Sequence, residues 1–147
     1  MTTGSTNTYA EAQIRQLIAD RDRALYAKDL HGLLADYATG GIFNVRPPFQ
    51  TKGVKDFCRV WEMCLPVFPA SFGTERRDLS ITVSGDLALA DRLWRFTRVP
   101  EDHPAMQTSM RDTMGYRRNR GKWQIVHEHG SVPFDPETLR AVFTLEP

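Results

Sequence analysis

The residues best suited to chemistry lie near the end of the chain, in a run that opens with a turn at Gly121. Side chains of a β-strand point alternately to its two faces. One face of a strand here would carry Trp123, Ile125, His127 and His129. An aromatic and an aliphatic side chain are thus followed by two imidazoles, which can accept and donate protons near neutral pH. The pattern predicts a strand that passes from a packed core into a polar pocket.

A second strand is predicted before this one, across a glycine-bearing turn that would make the two strands antiparallel partners. In the register that the turn suggests, Arg111 lies beside His129 and Thr113 beside His127. An arginine in that place could hold a carboxylate or stabilise an oxyanion. A shift of one residue would instead bring Asp112 onto the histidine face. The sequence leaves both registers open.

Three helices are predicted in the first half of the chain, where they would pack behind these strands. An amphipathic stripe predicts the first helix over residues 8–26. Asp29 is a suitable N-cap for a short second helix. Gly53 precedes a third helix, from Val54 to about Leu65, which Pro66 would terminate.

Apolar residues recur at every second position in the second half of the chain, which is typical of strands. Strands are expected at residues 42–46, 77–83, 87–99, 106–118 and 122–131. Asp135 and Pro136 have the form of a helix start, so a last helical turn or two is expected up to Phe143. Helices first and antiparallel hairpins afterwards indicate an α+β fold, with a bent sheet wrapped against the helices. The interior of such a fold is where a small ligand would bind.

Composition narrows the function classes. The 147 residues are 41% hydrophobic, enough for one compact domain over residues 9–147 after a flexible N-terminus at 1–8. A formal net charge of +1 gives no electrostatic reason to expect nucleic acid or a membrane surface as a partner. The N-terminus lacks a secretion pattern, so a cytoplasmic location is expected. Cys58 and Cys64 are six positions apart, a spacing that neither bridges them nor lets them share a metal.

Several short motifs carry a resemblance to a known family. They are Asp36-Tyr37-Ala38 ending the second helix, Gly53 opening the third, Ser84-Gly85-Asp86-Leu87-Ala88 at a hairpin, and Gly121 to His129 near the end. Together they resemble the SnoaL-like and ketosteroid-isomerase-like branch of the NTF2-like superfamily, over roughly residues 11–134. The resemblance implies a cone in which a strongly curved antiparallel or mixed sheet packs against three N-terminal helices. It also implies a cavity inside the cone and, commonly, a homodimer.

The sequence departs from that family at one position. Ketosteroid-isomerase-like members place a general-base aspartate on the strand after the second helix, and the corresponding residues 42–46 contain no carboxylate. Asn44 occupies the place where many SnoaL-like relatives have aspartate. An amide cannot take up a proton, so the expected acid/base chemistry moves to His129 and His127.

We therefore expect a cofactor-independent enzyme of the SnoaL-like type, an isomerase, cyclase, dehydratase or hydrolase, acting on a small and partly apolar ligand. His129, with His127, would move the proton, and Arg111 would orient the ligand or stabilise negative charge. Further ligand contacts are predicted, some from the alternation of side chains along the strands and some from the resemblance. They are Asn44, Arg46, Thr113, Tyr26, Tyr37, Trp61 and Trp94. No cofactor and no metal are expected, although histidines two positions apart on one strand face could chelate if a third ligand lay nearby.

Structural roles for the same residues stay open. The two histidines could be interior or dimer-interface residues, and Arg111 could pair with Glu128 or Asp112. The tryptophans could serve the core alone, and Asn44 could be a turn-side hydrogen bonder. In that case the chain is a non-catalytic ligand-binding or accessory dimeric protein of the same fold, or a module whose sheet face serves assembly.

Overall fold

A computed structural model describes residues 3–39, 43–46, 49–100 and 109–142, without the side chains of 3–5, 43–46 and 49. Its helices are α1 (Thr3–Tyr26), α2 (Leu30–Leu34) and α3 (Gly53–Cys64), the last followed by a 3₁₀ turn at Leu65–Val67. Its strands are β1 (Phe43–Arg46), β2 (Phe49–Lys52), β3 (Gly73–Ser84), β4 (Leu87–Thr97), β5 (Met110–Asn119), β6 (Lys122–Ser131), β7 (Phe134–Asp135) and β8 (Arg140–Ala141). The predicted α+β order, with three helices ahead of the long hairpins, is confirmed.

The main sheet has six strands in the order β2-β1-β6-β5-β4-β3. All neighbouring strands run antiparallel except β1 and β6, which are parallel. The predicted mixed sheet is therefore confirmed, and the parallel pair places the strand after α2 beside the strand that carries the histidines.

Local sequence rules account for the start of two helices. The Asp29 carboxylate accepts a hydrogen bond from the backbone N–H of Gly32 at 3.0 Å, so the predicted N-cap of α2 is confirmed. α3 begins at Gly53, whose φ of 79° lies in the left-handed region that favours glycine. α1 begins at Thr3, earlier than the residue 8 expected from the apolar stripe.

The interior lies between one face of the sheet and the helices. Ile14 and Ile18 of α1 are at most 2% exposed, because a spacing of four residues puts both on the same side of a helix. On β4 every second residue is buried: Ala88, Ala90, Arg92, Trp94 and Phe96. Aromatic rings fill the end of the interior near α3, with the Trp94 and Phe96 ring centroids 4.9 Å apart in an edge-to-face arrangement.

Two parts of the fold differ from expectation. Residues 49–52 form β2, a strand that was not predicted. The expected last helix is wrong, since residues 134–141 form the β7–β8 hairpin instead. The Asp135 carboxylate accepts hydrogen bonds from the backbone N–H groups of Glu137 and Thr138 and turns the chain, and Leu139 at φ 55° prevents a helix from continuing. These two hydrogen bonds lower the pKa of Asp135.

Two further properties concern the chain as a whole. No disulfide joins Cys58 to Cys64, as their spacing indicated. Within the described residues, no helix combines the length and the apolar character needed to cross a membrane.

Candidate active site

A β-bulge decides which side chains of β6 face the interior. Successive residues of β5 pair with Ile125 and then with His127, so that Val126 is one residue more than its partner strand supplies. Because an extra residue reverses the alternation beyond it, Glu128 turns inward on the same side as Trp123 and Ile125. Its side chain is fully buried, at 0% exposure.

The bulge also turns the two histidines outward. His129 is exposed and His127 only half-buried. A Cβ atom on Gly115 would lie 3.3 Å from the Cβ of His127, a tight contact that shows these neighbours to share the outer face. The prediction that His127 and His129 line the interior pocket is wrong, because the alternation on which it rested does not continue past Val126.

Arg111 and Thr113 lie on that outer face as well, and both are accessible. Arg111 pairs with Ser131 and Thr113 with His129, so the expected register is also wrong. The Thr113 hydroxyl donates to Asp91 at 2.6 Å. Arg111 and Thr113 line an open groove of about 260 Å³ outside the sheet, and His129 is the strand partner of Thr113 but does not line this groove.

Among the side chains that the structure describes, five charged ones occupy the interior instead, and each is at most 8% exposed. They are Arg21 and Asp22 of α1, Arg92 of β4, Asp112 of β5 and Glu128 of β6. A charge removed from water is tolerated in a fold only when it is paired and hydrogen-bonded. The contacts among these five fall into two groups.

The first group is centred on Glu128. One guanidinium nitrogen of Arg21 donates to both of its carboxylate oxygens, at 3.1 and 3.2 Å, and the Tyr37 hydroxyl donates to the same carboxylate. Burial alone would lower the pKa of Arg21, but the nearby Glu128 and Tyr37 outweigh that effect and raise the pKa above its ordinary value. Arg21 is therefore a permanent cation inside the fold.

The second group is centred on Arg92. Its guanidinium lies 3.0 Å from Asp112 and 3.3 Å from Asp22, so it bridges a carboxylate of the sheet and one of α1. The partly exposed Arg76 also reaches Asp22, at 3.3 Å. Two guanidinium groups thus fix the position of the Asp22 carboxylate.

A small cavity adjoins both groups. It is lined by Arg21, Asp22, Leu25, Trp61, Thr74, Arg92 and Trp94. The centre of a water molecule can move within about 10 Å³ of this cavity, which is close to the space that one water molecule requires. Asp22 is the carboxylate residue in this lining. Trp61 and Trp94, both predicted ligand contacts, line the cavity as well.

The other predicted ligand contacts are placed less directly. The hydroxyl of Tyr26 is hydrogen-bonded to Thr74 at the cavity wall. Tyr37 reaches the site through Glu128. The backbone of β1 holds Asn44 and Arg46, with Asn44 aligned with Glu128, but the side chains of both lie outside the described residues.

The sequence contained a signal for three of the five interior charges. Arg21 and Asp22 follow Ile14 and Ile18 by seven and four positions, which continues the apolar stripe of α1 with charged residues. Arg92 continues the inward alternation of β4. Charged residues on an otherwise buried face mark a polar site. Glu128 could not be found in this way, because the bulge is invisible to periodicity.

Comparison with known proteins gives the class. A family model described as a SnoaL-like domain matches residues 14–135. The chain belongs to the SnoaL-like domain family, and its fold is that of the NTF2-like superfamily, which confirms the resemblance noted from the sequence. Among curated proteins, none matches the chain significantly.

Solved structures agree with this assignment. An NTF2-like protein of unknown function from Pseudomonas putida KT2440 is 40% identical over 95% of this chain and 98% of its own, with a TM-score of 0.83. A candidate scytalone dehydratase from Novosphingobium aromaticivorans is 13% identical over 90% and 89%, with a TM-score of 0.72. A candidate ketosteroid isomerase from Shewanella frigidimarina is 13% identical over 79% and 92%, with a TM-score of 0.67. The last two show a shared fold alone.

Proposed function

We propose that the chain is a cofactor-independent enzyme that moves protons on a small, oxygenated organic ligand, with Asp22 as the group that takes up the proton. The observation that carries this proposal is the position of Asp22. It is a carboxylate 4% exposed at the wall of the internal cavity, fixed by Arg92 and Arg76.

The chemistry follows from that position. A carboxylate can act as a general base when it is held within reach of the proton that it removes. Nearby cations stabilise negative charge that develops on a substrate in a site shielded from water. Arg21 and Arg92 are such cations, and both line the same cavity as Asp22. Proton removal would thus be assisted by fixed positive charge.

The fold relatives suggest the reaction type. A candidate dehydratase and a candidate ketosteroid isomerase share the fold of this chain. Isomerisation and dehydration both begin by removing a proton from carbon next to an activating oxygen group. These two reactions are therefore the ones that we propose for this chain.

The histidine site remains a separate hypothesis. In that hypothesis His129 and His127 move the proton and Arg111 binds the ligand, on the outer face of the sheet. Proton transfer at Asp22 has the advantage of a site shielded from water, whereas His129 is exposed. Both hypotheses name a single residue whose removal is decisive.

The experiment compares Asp22→Asn with His129→Ala. Each protein is incubated in D₂O with a panel of small ketones and β-hydroxy ketones, and exchange or elimination at the carbon beside the carbonyl is followed by proton NMR. We expect the rate to fall by about a hundredfold or more for Asp22→Asn, the typical contribution of a general base, and to change less than about twofold for His129→Ala. The reverse result would transfer the chemistry to the histidine.

A non-catalytic ligand-binding or accessory role is the second candidate, and the cavity of about 10 Å³ favours it. A site this small admits a ligand only if side chains move. The test is whether wild-type protein binds a panel compound in native mass spectrometry. Binding without turnover of any compound of the panel would support this role over catalysis.

A further inference from the structure

Two buried N–H groups at the cavity have no acceptor among the described residues. They are Nε of Arg21 and the indole Nε1 of Trp61, on side chains that belong to α1 and α3. The two residues are 5% and 6% exposed, so solvent does not replace the missing acceptors. Both line the same internal cavity.

Unsatisfied donors in a folded interior require an explanation, because nearly all buried polar groups find a partner. The contact with Glu128 uses one terminal nitrogen of the Arg21 guanidinium and leaves its Nε edge without an acceptor. Glu128 is thus a positioning residue that holds Arg21 beside the cavity. The two side chains that carry these donors come from different helices and line one cavity, which has room for about one water molecule.

The charges around the cavity select the kind of oxygen. Arg21 is matched by Glu128, and Arg92 by Asp22 and Asp112. A carboxylate ligand would bring a second full negative charge to the wall that holds the Asp22 carboxylate, where the charges of Arg21 and Arg92 are already balanced by carboxylates. An uncharged carbonyl oxygen has two lone pairs for two donors and adds no charge.

We propose that Arg21 Nε and Trp61 Nε1 form a binding site for the carbonyl oxygen of an uncharged ketone or aldehyde. The identity of this ligand as the substrate rests on the function proposed above, whereas the binding site itself does not. The remainder of the ligand lies against the apolar wall formed by Leu25 and Trp94, and these side chains shift to admit it.

The test uses two probes of nearly the same shape, acetophenone and α-methylstyrene, which differ by a carbonyl oxygen in place of a CH₂ group. Each is titrated into ¹⁵N-labelled protein, and the indole N–H resonance of Trp61, assigned by its loss in Trp61→Phe, is followed by NMR. We expect acetophenone to bind at least about fivefold more tightly and to move this resonance downfield, as a new hydrogen bond would. Apolar partition alone would favour α-methylstyrene.

Variants separate the two donors. Trp61→Phe keeps most of the ring volume and is expected to weaken acetophenone binding about fivefold, with α-methylstyrene changed less than about twofold. Arg21→Lys keeps the cation beside Glu128 but removes Nε, and is expected to weaken acetophenone about tenfold. Trp123→Phe is the matched control, because that indole donates to Gln13 at 3.2 Å and does not line the cavity.

Equal affinity for the two probes, or equal loss in Trp61→Phe and Trp123→Phe, would overturn the proposal and leave a cavity that holds one water molecule. If Arg21→Lys does not fold, Trp61→Phe decides alone. Asp22→Asn distinguishes this proposal from the proposed function. If the protein has no turnover but its Asp22→Asn variant still binds acetophenone more tightly than α-methylstyrene, the carbonyl site is retained and the catalytic role fails.

Discussion

Glu128 shows how much of the interior depends on one side chain. It is fully buried, it pairs with Arg21, and it accepts the hydroxyl of Tyr37. A buried pair of this kind adds little net stability as a whole, but removing one partner leaves the other charge in a medium that cannot solvate it. Glu128 is thus necessary to the charge balance of the fold, apart from any chemistry.

Replacing Glu128 by glutamine should therefore destabilise the protein strongly. We expect a loss of about 3 kcal/mol in the free energy of unfolding, because Arg21 stays charged without its counter-ion. Urea unfolding followed by circular dichroism measures it. Glu75→Gln is the matched control, since Glu75 pairs with Arg95 at the protein surface and its loss should be barely detectable. Similar effects of the two substitutions would contradict the importance of the buried pair.

Tyr116 adds to this dry environment. Its hydroxyl donates to the sulfur of Met114 at 3.0 Å, and burial raises the pKa of Tyr116 although Arg21 and Arg92 act in the opposite direction. The interior thus combines paired charges with an uncharged phenol. Such surroundings strengthen electrostatic contacts between the fixed groups and any ligand that enters.

At the scale of elements, the bulge in β6 controls which face each residue occupies. Val126 is the extra residue, and β5 continues past it without a gap. Without that residue the strand would alternate regularly, and Glu128 would keep its inward position opposite Met114.

Deleting Val126 should therefore leave a folded protein. We expect a loss of about 1 kcal/mol, typical of a single change, with Glu128 still buried. Deleting Leu89 provides the contrast, because β4 and β5 pair without interruption from Leu87 to Trp94. That deletion would turn Arg92 to the outer face and bring Asp91 or Leu93 inward. Thermal unfolding and the dispersion of NMR amide signals measure both; loss of the fold on deletion of Val126 would show that the bulge itself is required.

The bulge also explains where prediction from sequence succeeded and failed. Periodicity and turn residues correctly indicated α1, the Asp29 cap and the span of β6, because each depends on nearby residues. A bulge depends on how two strands twist together, and an unbroken alternation through Val126 gave no sign of it. The one extra residue at the bulge is therefore the reason why the sequence predicted His129 as the inward group, whereas the structure has Glu128 there.

The whole molecule presents an outer sheet face that is partly apolar. Leu87 and Leu89 are 59% and 43% exposed there, on the face that also carries His129 and Thr113. Exposed leucines grouped on one face are typical of a surface that meets a partner. The homodimer expected from the resemblance would use this face.

Leu89→Glu should weaken that dimer. We expect light scattering to show a wild-type dimer at micromolar concentration and at least about tenfold weaker association for Leu89→Glu, because a charge would be buried against the partner. Arg59→Glu on the exposed side of α3 is the control and should leave association unchanged. A wild-type monomer at that concentration would contradict the prediction. A dimer through this face would also place His129 and Arg111 near the interface.

The parallel pairing of β1 with β6 has a consequence for how the chain is made. Arg21 and Glu128 are 107 positions apart, and β1, although β2 pairs with it at once, meets its parallel neighbour β6 only when residues 127–129 are present. During synthesis from the N-terminus, α1 emerges with Arg21 and Asp22 on its inward side long before their partners Glu128 and Arg92 exist. We therefore expect the early helices to stay hydrated and loosely collapsed on the ribosome, since contacts between distant positions close last. A nascent chain stalled before Glu128 has all three helices but lacks the counter-ion that lets the first of them be buried.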